Sequence, residues 1–282
     1  MKKITLLFIL CLTIKTISYS QSKFGQKKTT QEVIGYNISG EIEGLQDTSV
    51  ILAYYFGGKQ YATDTAEVID GKFSFNGGGE LQGGMYLVVL GNQQYFDMIV
   101  SEQHFSFSTK LDDLIGSMSF KNSKENPPFY EYLNFITQMQ KEVIPIRKQL
   151  ETAEGNTKKA LQEKASAIDL KVKKFRSDFM TSNKDKFFSK IVTATTEIEI
   201  PESPLDSTGN PDKTFPYRFY KKHFWDNIDF SDARMLRTPI FFNKMDQYLD
   251  KLTAKHPDSI NVSADVLIEL SKANGDIFQY VV

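Results

Sequence analysis

The stretch Val68-Ile69-Asp70-Gly71-Lys72-Phe73-Ser74-Phe75 decides the fold of the first half of the chain. Asp-Gly between two apolar segments is typical of a two-residue type I′ hairpin turn. Phe73 and Phe75 alternate with polar residues, as in a strand that buries one face. Similar short segments recur on either side between glycine-rich turns, at residues 36–42, 50–56, 61–68, 85–90, 95–100 and 104–108. Residues 33–120 are therefore predicted to form an antiparallel β-sandwich.

The pattern becomes helical after residue 126. Pro127 and Pro128 suit the first turn of a helix, where no amide partner is lost. Apolar residues then recur every three or four positions, which predicts an antiparallel helical hairpin whose first helix is kinked or broken at Pro145. Further helical patterns follow a proline-rich loop. The predicted fold class is thus α+β, with an N-terminal antiparallel β-sandwich followed by an all-α helical domain over residues 126–282.

The first 20 residues have the pattern of a secretory signal. Two lysines precede the apolar segment 4–14, and small residues precede a cleavage site between Ser20 and Gln21. The apolar segment is too short to span a bilayer, which needs about 20 apolar residues. We therefore expect residues 1–20 to be a signal peptide, the protein to be exported to the periplasm or cell envelope, and no membrane span to remain after cleavage.

Charge and cysteine content exclude several classes of function. The 34 basic and 35 acidic residues give a net charge of -1, which provides no long-range field for nucleic acid. The single cysteine, Cys11, lies inside the predicted signal peptide. After cleavage the chain has no thiol for a disulfide, a nucleophile or a metal ligand. We expect no catalytic residue, no metal, no cofactor, no nucleic-acid partner and no enzymatic activity.

One aromatic and basic run, residues 215–225, is the candidate interaction surface. Its mixture of rings and cations is found in ligand-binding grooves, and Tyr217, Phe219 and Trp225 are the rings that could contact a partner. The spacing of Phe219 with His223 and Phe224 instead favours a helix that faces the core. Both interpretations stay open, with the core-facing helix preferred.

Other polar groups are expected to be structural or solvated. His104, His223 and His256 lie in different segments, so a histidine metal site is not predicted. The glycine-rich stretch 77–84 lacks the Lys-Ser or Lys-Thr and the following helix of a phosphate loop, which predicts a flexible connection. The carboxylate pairs Glu197/Glu199 and Asp229/Asp232 are interpreted as solvated loop acids, because spacing alone does not identify a general acid and base.

Five stretches carry a family resemblance. Residues 36–44 and 70–75 look like the opening strand and central hairpin of a β-rich domain of unknown function. Residues 126–132, 220–232 and 236–239 look like the entry and the most recognisable part of a helical domain of unknown function. Together they resemble the N-terminal accessory regions of bacterial envelope thiol-disulfide oxidoreductases of the thioredoxin-like TlpA/ResA, AhpC/TSA group.

The resemblance implies a function without chemistry of its own. The redox domain of that group, with its Trp-Cys-x-x-Cys motif, is missing here, so no catalytic residue carries over. The chain is then expected to be an accessory region that positions or selects clients, with a thioredoxin-like redox domain or client proteins as partners. The apolar segment 276–282 starts a helix without a C-terminal cap and is expected to need a partner surface, as in a truncated helical domain.

The alternative is a stand-alone envelope protein that binds a glycan or peptide. Aromatic residues of the β-domain would supply the contacts, although most of them are expected to lie in the core. These residues are Tyr54, Tyr55, Phe56, Tyr61, Tyr86, Tyr95 and Phe96.

Overall fold

A computed structural model describes residues 35–91 and 93–282. Strands precede helices in it, which confirms the predicted α+β class. The predicted signal peptide, its cleavage site at Ser20 and Gln21, and Cys11 lie outside the described residues. The strands are β1 (Tyr36–Glu43), β2 (Ser49–Phe56), β3 (Lys59–Glu67), β4 (Lys72–Gly77), β5 (Gly84–Val89), β6 (Tyr95–Val100), β7 (His104–Lys110) and β8 (Ser119–Lys121).

The strands form two four-stranded sheets. Sheet A has the order β4-β1-β7-β8 and sheet B the order β3-β2-β5-β6. Neighbouring strands are antiparallel as predicted, except that β1 and β7 run parallel. The alternation of apolar and polar residues shows which face of the sheet each side chain takes, but it does not show the direction of the neighbouring strand. The parallel pairing of β1 and β7 therefore could not be predicted from the sequence. One apolar cluster joins the two sheets, and it includes Ile38, Leu52, Phe75, Val88, Met98 and Phe107.

The predicted turn at Asp70-Gly71 is present, but the predicted hairpin is wrong, because the turn connects β3 of sheet B to β4 of sheet A. Asp70 and Gly71 have φ angles of 51° and 74°, and positive φ at both central residues defines a type I′ turn. Ile69 and Lys72 close the turn through two N–H···O bonds of 2.9 Å. A Cβ on Gly71 would lie 2.7 Å from the carbonyl oxygen of Ile42, so the turn needs glycine for space as well as for conformation.

Seven α-helices follow the strands, together with a 3₁₀ turn at Ala233–Arg237 and a π-helical turn at Gln247–Lys251 in the described residues. Of the kink or break predicted at Pro145, the break is wrong, because α1 continues past this residue. Its neighbour Val143 is 1% exposed and packs with Met139 and with Ile168 of α2, so packing holds the helix together where one backbone bond is lost. The helices are α1 (Asn126–Leu150), α2 (Gly155–Ser182), α3 (Phe187–Ala194), α4 (Phe215–His223), α5 (Pro239–Asp246), α6 (Pro257–Ser271) and α7 (Gly275–Val281).

The strands and helices share a second apolar core on the far side of sheet B. Residues of sheet B that point away from sheet A lie in one cluster with the helical residues. Sheet B is therefore buried on both faces, which explains why β5 is apolar at almost every position. From sheet B this cluster includes Ala53, Tyr55, Met85, Leu87 and Ile99, and from the helical part Phe129, Phe187, Phe188, Leu236 and Ile277.

Two residues at the start of α1 connect the strands to the helices. The Asn126 side chain accepts a hydrogen bond from the Ile99 N–H and donates one to its carbonyl, both at 2.8 Å, on the edge strand β6. The Glu125 carboxylate accepts hydrogen bonds from the backbone N–H groups of Phe187 and Phe188 at the first turn of α3. These bonds satisfy backbone groups of an edge strand and of a helix N-terminus that would otherwise be unpaired.

The last helix finds a partner surface within the chain. Ile277 is fully buried, and the Tyr280 ring lies 5.3 Å from that of Phe56 and 6.2 Å from that of Phe241. The protein itself therefore supplies part of the surface that this apolar segment was expected to need. Phe278 is not covered in this way and is 37% exposed. None of the helices among the described residues is long and apolar enough to cross a membrane.

Candidate functional site

The aromatic and basic run forms a surface helix and then enters the core. No residue of α4 is buried, whereas Phe224 and Trp225, which follow it, are 0% and 5% exposed. The prediction of a core-facing helix is therefore confirmed in part: Tyr220 of α4 packs half-buried against the core and Phe224 lies in it, but Phe219 does not belong to that cluster. Phe219 is half-buried, with its ring 4.3 Å from the ring of His223. The spacing of apolar residues could not distinguish a buried helix from a surface helix, because both show apolar residues every three or four positions.

Tyr217 and Trp225 do come together, in a groove between α4, the π-helical turn and α6. The groove has a volume of about 530 Å³. We call it the α4–α6 groove. Its aromatic and apolar lining residues are Tyr217, Trp225, Tyr248, Val266 and Leu270. Its charged lining residues are Arg218, Lys221, Lys222 and Asp226.

Two buried rings lie deepest in the groove. Tyr248 is 3% exposed, and its ring centroid is 5.2 Å from that of Trp225 in an edge-on arrangement. The Trp225 ring is also held edge-on by Phe224 and Phe230. Within the described part of the chain, the indole Nε1 of Trp225 makes no hydrogen bond of good geometry. It lies near the Tyr248 hydroxyl, and this contact opposes the effect of burial, which raises the pKa of Tyr248.

Exposed apolar side chains form the wall that α6 contributes. Val266 and Leu270 are 38% and 36% exposed, and Val262, one turn earlier, is 63% exposed. The three lie at i, i+4 and i+8, so they form one stripe along the helix. Across the groove, Tyr217 is held by a 2.7 Å hydrogen bond from its hydroxyl to the carbonyl of Leu252. Sequence analysis missed this wall, because α6 lies about 40 residues after α4 in the chain.

The charges of the groove do not cancel. Arg218 forms an ion pair with Asp212 at 2.6 Å, and the Asp226 carboxylate lies 2.6 Å from Nδ1 of His223, which is an ion pair only when that histidine is protonated. The Lys221 ammonium lies 5.5 Å from the centre of the Tyr248 ring, and burial lowers its pKa. No carboxylate of the described residues forms an ion pair with Lys221 or with its neighbour Lys222, which is exposed. Two cations therefore remain uncompensated at the edge of an apolar groove.

The pair Asp229/Asp232 is not solvated as predicted. The Lys190 ammonium bridges both carboxylates at 2.7 and 2.8 Å, and the Asp232 side chain is 9% exposed. Arg234 donates to Asp232 through Nε and a terminal nitrogen, and its guanidinium lies 4.3 Å from the Phe187 ring. Burial raises the pKa of Asp232, but hydrogen bonds from Arg234 and Lys190 outweigh burial and lower the pKa to about 2. This cluster fixes the 3₁₀ turn to α3 and is structural.

The other predicted acids and histidines do not form a site. Glu199 is exposed and lies 3.4 Å from Lys173, as expected for a solvated acid. His256 faces Asp258 at 3.7 Å, and His104 lies exposed on β7. Residues 35–91 and 93–282 contain no cluster of His, Cys, Asp or Glu side chains that could hold a metal ion.

The end of the glycine-rich stretch is a packing surface and not only a flexible connection. Gly84 has a φ of +151°, and a Cβ built on it would lie 2.4 Å from the Cβ of Arg237. A Cβ on Gly83 would lie 2.9 Å from Cδ of Arg234. The 3₁₀ turn therefore approaches the start of β5 so closely that only glycine fits at Gly84.

Of the seven aromatic residues of the β-domain named above, three lie in the core and three more, Tyr54, Phe56 and Tyr95, pack half-buried against it. Tyr55, Tyr86 and Phe96 are 7%, 2% and 4% exposed. Tyr61 is 36% exposed and stacks on Tyr54, with ring centroids 5.7 Å apart. The sandwich therefore presents little aromatic surface for a ligand.

Comparison with known proteins finds two families along the chain. Residues 36–129 match the family described as Domain of unknown function (DUF4369). Residues 151–282 match the family described as Domain of unknown function (DUF5106). No curated protein and no solved structure matches the chain. The chain thus contains a β-rich and a helical domain of unknown function, in that order, and the α4–α6 groove belongs to the second.

Proposed function

We propose that this protein is a non-catalytic accessory region, exported to the cell envelope, that holds client polypeptides for a thioredoxin-like redox domain. The α4–α6 groove is the observation that carries the proposal. It combines buried rings, an exposed apolar wall and uncompensated cations in one concavity. Concave sites that are mostly apolar with a few placed polar groups are the usual binding sites of proteins.

The order of the two matched families supports the link to a redox partner. A β-rich domain of unknown function followed by a helical one is the arrangement that the sequence resemblance implies. Residues 12–282 contain no cysteine, so thiol chemistry in such a system would have to come from the partner. The N-terminal signal pattern supports the envelope as the place of action.

The apolar wall supports a polypeptide as the ligand. The groove fits a polypeptide better than a small sugar. Its exposed residues Leu270, Val266 and Tyr217 offer apolar contact area but few of the hydrogen-bonding groups that a sugar needs. Unfolded clients expose apolar side chains that folded proteins bury. A groove of this composition therefore selects unfolded over folded chains. The aromatic residues of the β-domain, on which a glycan site would depend, mostly lie in the core or pack half-buried against it.

The experiment uses the purified chain and a reduced, alkylated protein as a permanently unfolded client. We expect saturable binding of that client, no binding of the same protein in its native form, and no reduction of insulin above the dithiothreitol background. Leu270→Ser in the groove should weaken binding about tenfold, because it removes apolar contact area. Leu170→Ser, which changes a 68% exposed leucine on α2, is the matched control and should bind like the parent chain.

Two results would refute the proposal. Turnover of insulin by the chain alone would show chemistry that the proposal denies. Equal binding by the Leu270→Ser and Leu170→Ser chains would remove the groove as the client site.

A further inference from the structure

We infer that the α4–α6 groove selects acidic segments of unfolded polypeptide, in which an apolar residue is flanked by carboxylates. This inference rests on the proposed function of the groove as the client site. It adds the chemistry of the ligand, which neither family description contains.

The charge balance of the groove is the first support. Arg218 already has a partner of opposite charge in Asp212, and Asp226 is hydrogen-bonded to His223, at 2.6 Å each. The two cations without a carboxylate partner among the described residues are Lys221 and Lys222. A ligand that brings carboxylates completes this arrangement, whereas a basic ligand adds like charges.

The surroundings of Lys221 are the second support. Its ammonium lies over the Tyr248 ring and 3.4 Å from the hydroxyl oxygen of Thr253, so it is held at the groove and is not extended into water. Burial also disfavours its charged form, as its lowered pKa indicates. A carboxylate placed beside it would offset that cost, since a paired charge tolerates burial better than a lone one.

The length of the apolar wall sets the size of the segment. Val266 and Leu270, the residues of α6 that line the groove, are four residues apart, which is roughly 6 Å along the helix axis. An extended peptide covers about 3.3 Å per residue, so this lining accommodates about two residues. The bound segment is then a short apolar stretch with acidic residues next to it.

Trp225 makes this inference testable without a label. It is the single tryptophan of the chain and lies in the lining of the groove. Its emission therefore reports on this site alone. Its ring lies against Tyr248 in the lining of the groove, so an occupant that orders or desolvates the groove should change the spectrum.

The experiment titrates the full chain with three hexapeptides and follows the tryptophan emission. The acidic peptide is Asp-Glu-Leu-Phe-Glu-Asp, the neutral one Ser-Gln-Leu-Phe-Gln-Ser and the basic one Lys-Lys-Leu-Phe-Lys-Lys. We expect the acidic peptide to bind at least tenfold more tightly than the basic one at low salt. The difference should shrink as salt screens the charges. Lys221→Gln should reduce binding of the acidic peptide about tenfold and leave binding of the neutral one unchanged.

Two further variants guard against trivial explanations. Lys222→Gln changes an exposed residue and should reduce acidic-peptide binding even if Lys221→Gln fails to fold. Lys121→Gln removes an exposed cation from β8, outside the groove, and should have no effect.

The outcomes separate this inference from the proposed function. If the neutral or basic peptide binds as tightly as the acidic one, and Leu270→Ser weakens that binding, the acidic preference is refuted and the client site remains. If none of the three peptides changes the emission or binds, the inference and the client site both fail.

Discussion

Asp97 on β6 is a buried carboxylate between sheet B and the helices. The hydroxyl of Tyr55 donates to its carboxylate at 2.9 Å, and the hydroxyl of Tyr130 donates to its backbone carbonyl at 2.8 Å. Burial raises the pKa of Asp97 to about 6, although the hydrogen bond from Tyr55 opposes the rise. The sequence gives no hint of this, because the burial of Asp97 depends on a helix that begins 29 residues later.

The raised pKa of Asp97 predicts a pH-dependent stability. Since the ordinary pKa is 3.8, the folded state binds this proton more tightly than the unfolded one. Protonated Asp97 therefore adds to the free energy of unfolding. This stabilisation is complete below about pH 4 and is lost as the pH rises through 6. Asp97→Asn keeps the acceptor for Tyr55 and removes the titration. Its free energy of unfolding relative to the parent chain should increase by about 2 kcal/mol between pH 4 and 7.

Urea unfolding at several pH values measures this change. Asp64→Asn is the matched control, since Asp64 also accepts a tyrosine hydroxyl, from Tyr36 at 2.9 Å, outside the seam between sheet and helices. If the stability difference between Asp97→Asn and the parent chain stayed constant from pH 4 to 7, Asp97 would not be the titrating group described here.

At the scale of elements, the contact between the 3₁₀ turn and the start of β5 decides how sheet and helices fit. Residues 229–232 and 236–239, which belong to the stretches that carry the sequence resemblance, lie at this contact, whereas Trp225 and Asp226 line the α4–α6 groove. Asp232 caps the 3₁₀ turn, and Thr238 caps α5 by accepting the N–H of Phe241. The recognisable sequence there thus follows from caps and ion pairs.

Gly84→Ala tests that contact. The added Cβ would meet the Cβ of Arg237, which cannot move without its backbone, and the φ of +151° strains any other residue. We expect a loss of about 2 kcal/mol or more in the free energy of unfolding. Gly79→Ala is the control from the same stretch, because nothing lies within 4 Å of its Cβ. Equal stability of the two variants would show that the close approach is absent.

The elements themselves were largely predictable, and their contacts were not. Alternation of Phe73 and Phe75 and the Asp70-Gly71 turn identify the β-domain, because both depend on local geometry alone. The continuation of α1 past Pro145 depends on packing against α2, which local pattern cannot show. The groove likewise combines Trp225 with Tyr248 and Val266 from later elements. Sequence reasoning therefore found one side of it, Tyr217 and Trp225, and included Phe219, which does not line it.

At the scale of the whole molecule, the strands and helices form one body. Sheet B is buried on one face by sheet A and on the other by the helical part. Removing the helices would expose Ala53, Met85, Leu87 and Ile99 to water. The two sequence families are thus not two separate folding units in this chain.

Calorimetry tests whether the strands and helices unfold together. The chain should unfold in one transition, with equal calorimetric and van't Hoff enthalpies, because both parts lose the shared core together. The expected companion result is that residues 33–120 alone do not give a cooperative transition. Two resolved transitions in the full chain, or a stable isolated sandwich, would contradict the shared core.

The groove as a client site is the central claim, and hydrogen exchange read by mass spectrometry tests it most directly. The full chain is compared with and without a saturating amount of a reduced, alkylated client protein. We predict slower exchange in the segments that contain Tyr217–Trp225 and Val262–Leu270, with exchange in sheet A unchanged. Unchanged exchange in both segments while the client is bound, or protection confined to sheet A, would contradict the account.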